Sequence, residues 1–487
     1  MGRGYTVDDT VEVYLSKLCH QPAADVTGVL VGQSSPQRDF VVLACRTPPR
    51  PEGLVGVAKS LDKEWISEHA RQVSRMLPGG LSVLGVFIIT DADAKETLTS
   101  LRQLLFSVHS LISSEHVWKA ADDDVTDCLA LHINPKSRKI VCRTFDVKDP
   151  KSTAKPADWK YQSGVSSSWS MVTCCVSVDL LLPLPRCSES MEECLQEALR
   201  VWATQMEKAV CLFDGTQLPE DAELTAGQKR NVRQLFSAQL LITPDEGRLT
   251  SVVQQCGGSL ALRGVVHSRA YLHNNRPKAK MAEKLLKRDV LSTMATRLHM
   301  WLEEQLSSEN LVKGVTRDQG TETFSLPHRV FSPVQVGGPL FVCDYQFKGE
   351  DPVEVIDRLK EMLDMDAAHK DLDTRLEMAA EMLEVHQAAE AAVEHTEVHE
   401  PKTKKYIDFH RMPNVIYSSQ CFLSTHTGLL DFPAVGAILQ NCSWVEQEVM
   451  HPHKINDPVY FQNKITPPLQ HKCQHYSAAP HPVEILS

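Results

Sequence analysis

The sequence predicts a mixed α+β protein: an N-terminal α/β unit, a second α+β region, an acidic helical linker and a disordered C-terminal tail. Three observations predict it. β-rich runs alternate with runs of helical period from residue 7 to about residue 365. The 487 residues are 42% hydrophobic and 23% charged, close to globular averages and ample for more than one core. After residue 365 the composition shifts to Ala, Glu, Asp and His, and after 400 no packed pattern remains.

The first unit spans residues 1–118. Val7, Val11, Tyr14, Leu15 and Leu18 share one face at helical spacing, and Asp8, Asp9 and Glu12 suit a helix start, so Val7–Leu18 reads as an amphipathic opening helix. Val26–Gly32 and Phe40–Cys45 are β-rich and joined by Ser, Pro and Asp turn formers, which predicts a strand pair. Pro48–Gly56 is a loop. Trp65, Ile66, His69, Val73 and Met76 mark a helix over Asp62–Met76, stopped by Pro78-Gly79-Gly80. Leu81–Thr90 lacks alternation, as a strand buried on both faces does, and Leu98, Leu101, Leu104, Leu105, Val108 and Leu111 stripe a helix over Ala94–Ser113.

The second region spans residues 125–365. Val125–Ile133 and Lys139–Phe145 read as strands paired across an Asn134-Pro135 turn, and Ser170–Leu182 as a long apolar strand. Met191–Leu212 is a helix with Leu195, Leu199, Trp202, Met206 and Val210 on one side. Val252–Val266, with an internal Gly257-Gly258, and Leu340–Phe347 look strand-rich. Between them Lys280–Leu306 is a strong helix whose stripe of Leu286, Val290, Met294 and Leu298 faces a core, and Val353–Met365 is a further helical run. Residues 366–400 form the acidic helical linker and 401–487 the tail.

Composition also excludes function classes. Lys plus Arg at 51 against Asp plus Glu at 62 gives a net charge of −11, which argues against a nucleic-acid partner. The N-terminus lacks the apolar core of a secretory leader, and the apolar runs Leu81–Thr90 and Phe432–Leu439 are too short to span a bilayer, so no clear transmembrane segment is expected. The 14 cysteines are scattered, often inside apolar runs such as Cys174-Cys175, as reduced thiols in a reducing compartment are; the Asn441-Cys442-Ser443 sequon then reads as chance.

Catalytic motifs fail one by one. There is no Walker loop, and Gly28-Val29-Leu30-Val31-Gly32 lacks the third glycine of a dinucleotide fingerprint. No Gly-x-Ser-x-Gly elbow occurs, and Gly257-Gly258 suits a bulge. His451, His453, His471, Cys473 and His475 in the tail, like His395 and His399 before it, lack the rigid shell of a metal site. Cys174-Cys175 sits mid-strand, where packing is the ordinary role. No catalytic, cofactor-binding or metal-ligating residue is assigned, and no cofactor is expected.

Met1-Gly2-Arg3, Thr10-Val11, Tyr14-Leu15, Gly28-Val29-Leu30-Val31-Gly32-Gln33 and Arg46-Thr47-Pro48-Pro49 resemble the head of the odorant-response-abnormal-four family, and the resemblance extends over about residues 1–400. It implies a factor that helps a subset of G-protein-coupled receptors leave the endoplasmic reticulum. It also implies an adaptor for the protease that removes the ubiquitin-fold modifier, held at the cytoplasmic face of the endoplasmic-reticulum membrane. Members of the family usually end in an apolar anchor, whereas this sequence turns polar after Leu439, so either a variant with a replaced C-terminus or attachment through a bound partner is expected. The first unit further resembles an MPN domain, whose active members carry His-x-His-Pro after a strand. Aligning Gly85–Asp91 on that strand puts Ile88 and Thr90 where two metal-binding histidines would stand, which implies an inactive, partner-binding version. Such domains pair with one another, and Val7–Leu18 and Ala94–Ser113 are the expected pairing helices. The expectation is therefore a non-enzymatic adaptor and folding aid; the alternative is a hydrolase, either a cysteine protease or a zinc isopeptidase of a ubiquitin-like modifier.

Overall fold

A computed structural model describes residues 2–21, 25–50, 61–184, 191–226, 233–242, 258–273, 276–307 and 322–377. The expected tail, 401–487, and the linker beyond 377 lie outside the described residues, as do the tail histidines, the sequon and Gly257. Mixed α+β is the class observed.

The first body is built on seven strands: β1 (Arg3–Asp8), β2 (Val26–Gln33), β3 (Arg38–Arg46), β4 (Ser82–Ile89), β5 (Asp127–Ile133), β6 (Ile140–Asp146) and β7 (Lys155–Gln162). They close into a barrel in the order β1-β3-β2-β4-β5-β6-β7. Closure leaves no free edge, which settles the aggregation liability of so apolar a sheet. β1 pairs in parallel with both β3 and β7, β4 pairs in parallel with β5, and the other neighbours are antiparallel. The expected boundary at 118–125 therefore does not divide the sheet, because β5 to β7 belong to the same barrel as β4. Two of the barrel's strands, β1 and β7, are not among those expected, nor are the later strands Val210–Phe213, Leu235–Leu241, Glu322–Ser325 and His328–Pro333. β1 carries Val7 and Asp8, expected to begin the first helix, which instead starts at Asp9, and β7, whose half-buried Ala157, Trp159 and Tyr161 alternate with exposed polar residues, lies where no element is expected.

Three helices lie on the barrel: α1 (Asp9–Cys19), α2 (Lys63–Arg75) and α3 (Ala94–Ser114). Leu30, Val41, Phe87, Ile89, Leu129 and Leu131 pack with Val11, Leu15 and Leu18 of α1 in one cluster. The alternate positions Val29, Val31, Val86, Ile88 and Ala130 pack with α2 and α3 in another. β4 is thus buried on both faces, as its unbroken apolar run predicts.

The second body is a sheet of β8 (Ser170–Leu184), β9 (Val210–Phe213), β10 (Leu235–Leu241), β11 (Gly258–Leu272) and β12 (Glu322–Ser325), ordered β12-β11-β8-β10-β9. Helices α4 (Met191–Lys208) and α5 (Ala279–Ser307) cover one face, where Cys174, Val176 and Val266 meet Leu199, Trp202, Leu286 and Met294. The chain then returns: the hairpin β13 (His328–Pro333) and β14 (Phe341–Gln346) and helix α6 (Pro352–Leu363) pack with Met76, Leu77 and Tyr271 in the outer core of the barrel.

Among the contacts that join the bodies, two sit at β2 and at the turn before β4. Gln33 donates from Nε2 to the carbonyls of Gly80 and Tyr271 at 2.7 Å each, while its Oε1 accepts from the His273 amide at 2.7 Å. Beside it, the Gly79 amide donates to the Arg269 carbonyl at 2.9 Å and the Tyr271 amide to the Gly79 carbonyl at 2.8 Å. The Gly79-Gly80 turn thereby pairs with the edge of β11 that β12 leaves open.

Candidate functional site

Ile88 and Thr90, the two positions singled out in the sequence, lie at and just beyond the end of β4. Ile88 and Thr90 are both buried, and Thr90 is spent on local structure: its amide donates to the Ile133 carbonyl at 3.1 Å and its hydroxyl accepts from the Ala92 amide at 3.2 Å. The register sets Ile88 opposite His132 of β5. His132 is a buried imidazole whose ring nitrogens make no well-formed hydrogen bond among the described residues, and burial, outweighing the nearby Thr90 backbone and Asp93, holds its pKa below the usual value. It lines a cleft of about 240 Å³ with Asp91, Asp93, Asn134 and Lys139. Asp91 is paired with Lys136 at 2.5 Å, and Asp93 accepts from the Lys95 and Glu96 amides as the N-cap of α3. Among the described residues no group of three or more His, Cys, Asp or Glu is placed to hold a metal ion. His132 was missed because a histidine between Leu131 and Ile133 reads as an ordinary strand position.

The helices expected to offer a pairing surface use their apolar stripes internally. Val11, Leu15 and Leu18 of α1, and Leu101, Leu104, Leu105 and Val108 of α3, are all buried in the chain's own cores. Their periodicity reported the barrel, not a partner.

A denser constellation lies at the open edge of β11. Tertiary folding brings His267 of β11 directly across from Cys175 of β8, with Nδ1 3.2 Å from Sγ. On the imidazole's other side Arg269 donates from Nε to Nε2 at 3.4 Å, which leaves the ring proton on Nδ1. The edge amides of β11 meet carboxylates: His267 donates to Glu377 at 2.8 Å and Arg269 to Asp289 at 3.1 Å. Each carboxylate has its own guanidinium. Arg329 forks onto Asp289 at 2.8 and 2.9 Å, Arg297 reaches Glu377 at 2.6 Å, and all four side chains are 2% exposed or less. Asp373 pairs with Arg269 at 2.8 Å, and that guanidinium lies 3.9 Å from the centre of the Phe331 ring. Asp373 and Glu377 fall in the expected solvated linker. Its first residues are instead docked in the fold, because the edge of β11 and two buried arginines require acceptors.

Chemically, this arrangement holds a neutral imidazole. Burial first, then the neighbouring Arg269 and Arg329 cations, push His267 down to about 3. A general base for amide hydrolysis needs a value near the working pH, and the imidazole must then return the proton to the leaving amine. Asp289 and Glu377, which could have oriented the ring, are engaged by arginines and backbone amides. A Cys–His contact in this setting lacks the proton traffic of a cysteine protease.

The same depressions set a pH response. His116 and His273 are held at about 4, chiefly by burial, alongside His267 at about 3. A histidine whose folded value lies below its unfolded value of about 6.5 stabilises the fold fully above that value and loses the contribution as pH falls toward the folded value. Urea midpoints should therefore decline steadily from pH 6.5 to 4, with the unfolded chain binding more protons than the folded one. A flat profile over that window would mean that these rings are not buried as neutral groups.

Comparison with known proteins supplies the remaining facts. Residues 28–398 match the family model described as Odorant response abnormal 4-like. The chain is 41% identical to the human "Protein odr-4 homolog" over 422 residues, covering 82% of this chain and 92% of that one. The mouse protein of the same name is 41% identical over 426 residues, 83% of this chain and 93% of that one. Among solved structures, a crystal structure of UfSP from C. elegans is similar with a TM-score of 0.39 and 10% identity, covering 75% of this chain and 57% of that one.

Proposed function

From the premise that this chain belongs to the Odorant response abnormal 4-like family, we propose that it works by contact and not by catalysis. In this reading it is an adaptor at the cytoplasmic face of the endoplasmic-reticulum membrane. It binds the ubiquitin-fold-modifier-specific protease through its barrel, acting as an inactive MPN-like domain, and supports folding or trafficking of a subset of G-protein-coupled receptors. The names of the relatives, which refer to odorant response, support the receptor part. Among the described residues no helix is long and apolar enough to cross a membrane, which fits attachment by association.

The observation that carries the non-catalytic reading is the Cys175–His267 contact, whose imidazole is set between the thiol and Arg269, where burial and the Arg269 and Arg329 cations favour its neutral form. The rival, a hydrolase, requires a base at that place or a metal elsewhere. Two measurements on the purified full chain separate them: cleavage of a modifier–peptide fusion with and without added protease, and zinc content by mass spectrometry. The adaptor reading expects no cleavage by the chain alone, no stoichiometric zinc, and co-elution of the protease. Intrinsic cleavage that disappears in Cys175→Ala would establish the rival.

A further inference from the structure

We propose that the carboxylate of Glu377 occupies a preformed receptor for a carboxylate, and that residues 366–377 are a detachable strap that fills this receptor from within the chain. The receptor has three donors from three elements. The His267 amide of β11 and Nη2 of Arg297 on α5 donate to Oε1 at 2.8 and 2.6 Å, and the Arg329 amide of β13 donates to Oε2 at 2.7 Å. Both oxygens are thereby satisfied, and the glutamate is fully buried.

The donors keep their places by contacts other than Glu377. β11 is paired along its length with β8, and β13 with β14. The Arg297 guanidinium donates from Nε to the Thr293 hydroxyl at 3.3 Å and from Nη1 to the Val265 carbonyl at 3.4 Å, and it lies 5.6 Å from the centre of the Tyr345 ring. Arg329 is committed to Asp289 and Arg269 to Asp373, so the cation that faces the occupant is Arg297. Two backbone N–H groups and one guanidinium converging on a single point suit a carboxylate, whose two oxygens can share them.

The strap, by contrast, is lightly held. Residues 371–376 are half-buried or exposed, and Ala367 and Leu372 only partly enter the outer core of the barrel. The backbone bonds to β13 at one residue pair, with the Phe331 amide donating to the Asp373 carbonyl at 3.2 Å and the Asp373 amide to the Phe331 carbonyl at 2.8 Å. Asp373 meets Arg269 at 2.8 Å with 36% of its side chain exposed, where an ion pair contributes little. A segment with so few buried apolar groups opens more readily than the strands beneath it. Its anchor is the one buried carboxylate, and its departure leaves Arg297 and two amides as a site of defined chemistry. The reading stands apart from the adaptor role, since it concerns the chain's own segment.

The test is chemical rescue in the full chain. Glu377→Ala lacks the two carbons and two oxygens that acetate supplies, so sodium acetate should raise its melting temperature saturably, by about 1–2 °C more than sodium chloride at equal concentration. Wild type, whose receptor is full, and Glu377→Gln, which keeps the volume, should show no such difference. Hydrogen exchange in wild type reads the detachment itself: the His267 and Arg329 amides should exchange at least about tenfold faster than those of Val266 and Ser268, which lie against β8. A folded Glu377→Ala that responds alike to acetate and chloride would overturn the proposal, as would an acetate response of equal size in Glu377→Gln or wild type. Exchange at His267 and Arg329 as slow as at Val266 and Ser268 would overturn it too, and decides alone if Glu377→Ala fails to fold.

Discussion

Arg329→Met should cost the folded chain about 3–5 kcal/mol, the usual penalty for removing one partner of a buried ion pair. The guanidinium is 1% exposed and forks onto both oxygens of Asp289 at 2.8 and 2.9 Å. Without it the Asp289 carboxylate keeps two donors, the Ser268 hydroxyl at 2.6 Å and the Arg269 amide at 3.1 Å, and neither neutralises it. Methionine fills much of the volume, so the loss reports the stranded charge and not a cavity. Arg329→Lys keeps the charge but not the planar fork, and should fall between the two. Adding Asp289→Leu to Arg329→Met should recover only part of the loss, because Ser268 and the edge amide of Arg269 would then lack an acceptor. Urea denaturation at pH 7 measures all four proteins. A cost below about 1 kcal/mol for the single methionine variant would place Asp289 in water, contrary to the geometry.

Gly80→Ala should be nearly as damaging, for a reason that acts through the backbone. Gly80 has φ +82°, and a Cβ there would overlap the Tyr271 carbonyl oxygen and lie 2.5 Å from Nε2 of Gln33. The left-handed conformation costs a residue with a side chain about 1–2 kcal/mol, and forced overpacking adds about 1–3 kcal/mol. The overlap falls on the carbonyl that Gln33 uses to tie barrel to sheet, so the damage should concentrate at that junction. Gly337→Ala is the control: φ is +72° and nothing lies within 4 Å of a Cβ, so only the conformational cost applies. Melting temperatures give the totals. Amide exchange at Tyr271, whose N–H bonds to Gly79, gives the location. Equal losses in the two variants would mean that the turn yields without disturbing the joint.

The residues that carried the family resemblance are mostly structural. Arg3 forks onto Asp39 at 2.6 and 2.7 Å, joining β1 to β3. The Tyr14 hydroxyl donates to Asp364 at 2.9 Å and accepts from the Arg46 amide at 3.1 Å, tying α1 to β3 and to the end of α6. Gly32 sits at a register shift where a Cβ would overlap the Phe40 carbonyl, and Gln33 is the joint with the second body. A motif of this kind identifies the fold, and says nothing by itself about chemistry.

The sequence by itself determined the α+β class, the doubly buried β4, the apolar stripes of α1 to α5 apart from Val7 and Val210, which belong to strands, and the family. Each follows from local periodicity, capping or a short motif, and local signals survive without knowledge of neighbours. Only the tertiary structure decided that β1 and β5 to β7 close one barrel, that α1 and α3 spend their apolar faces internally, and that Glu377 belongs to the core. It alone brought Cys175 to His267 across 92 residues and Arg297 to Glu377 across 80. The physical reason is the same in each case. A histidine, a cysteine or an acid carries no mark of its partner in its own window, because strand register and chain return set that meeting, and both are properties of the whole packed chain.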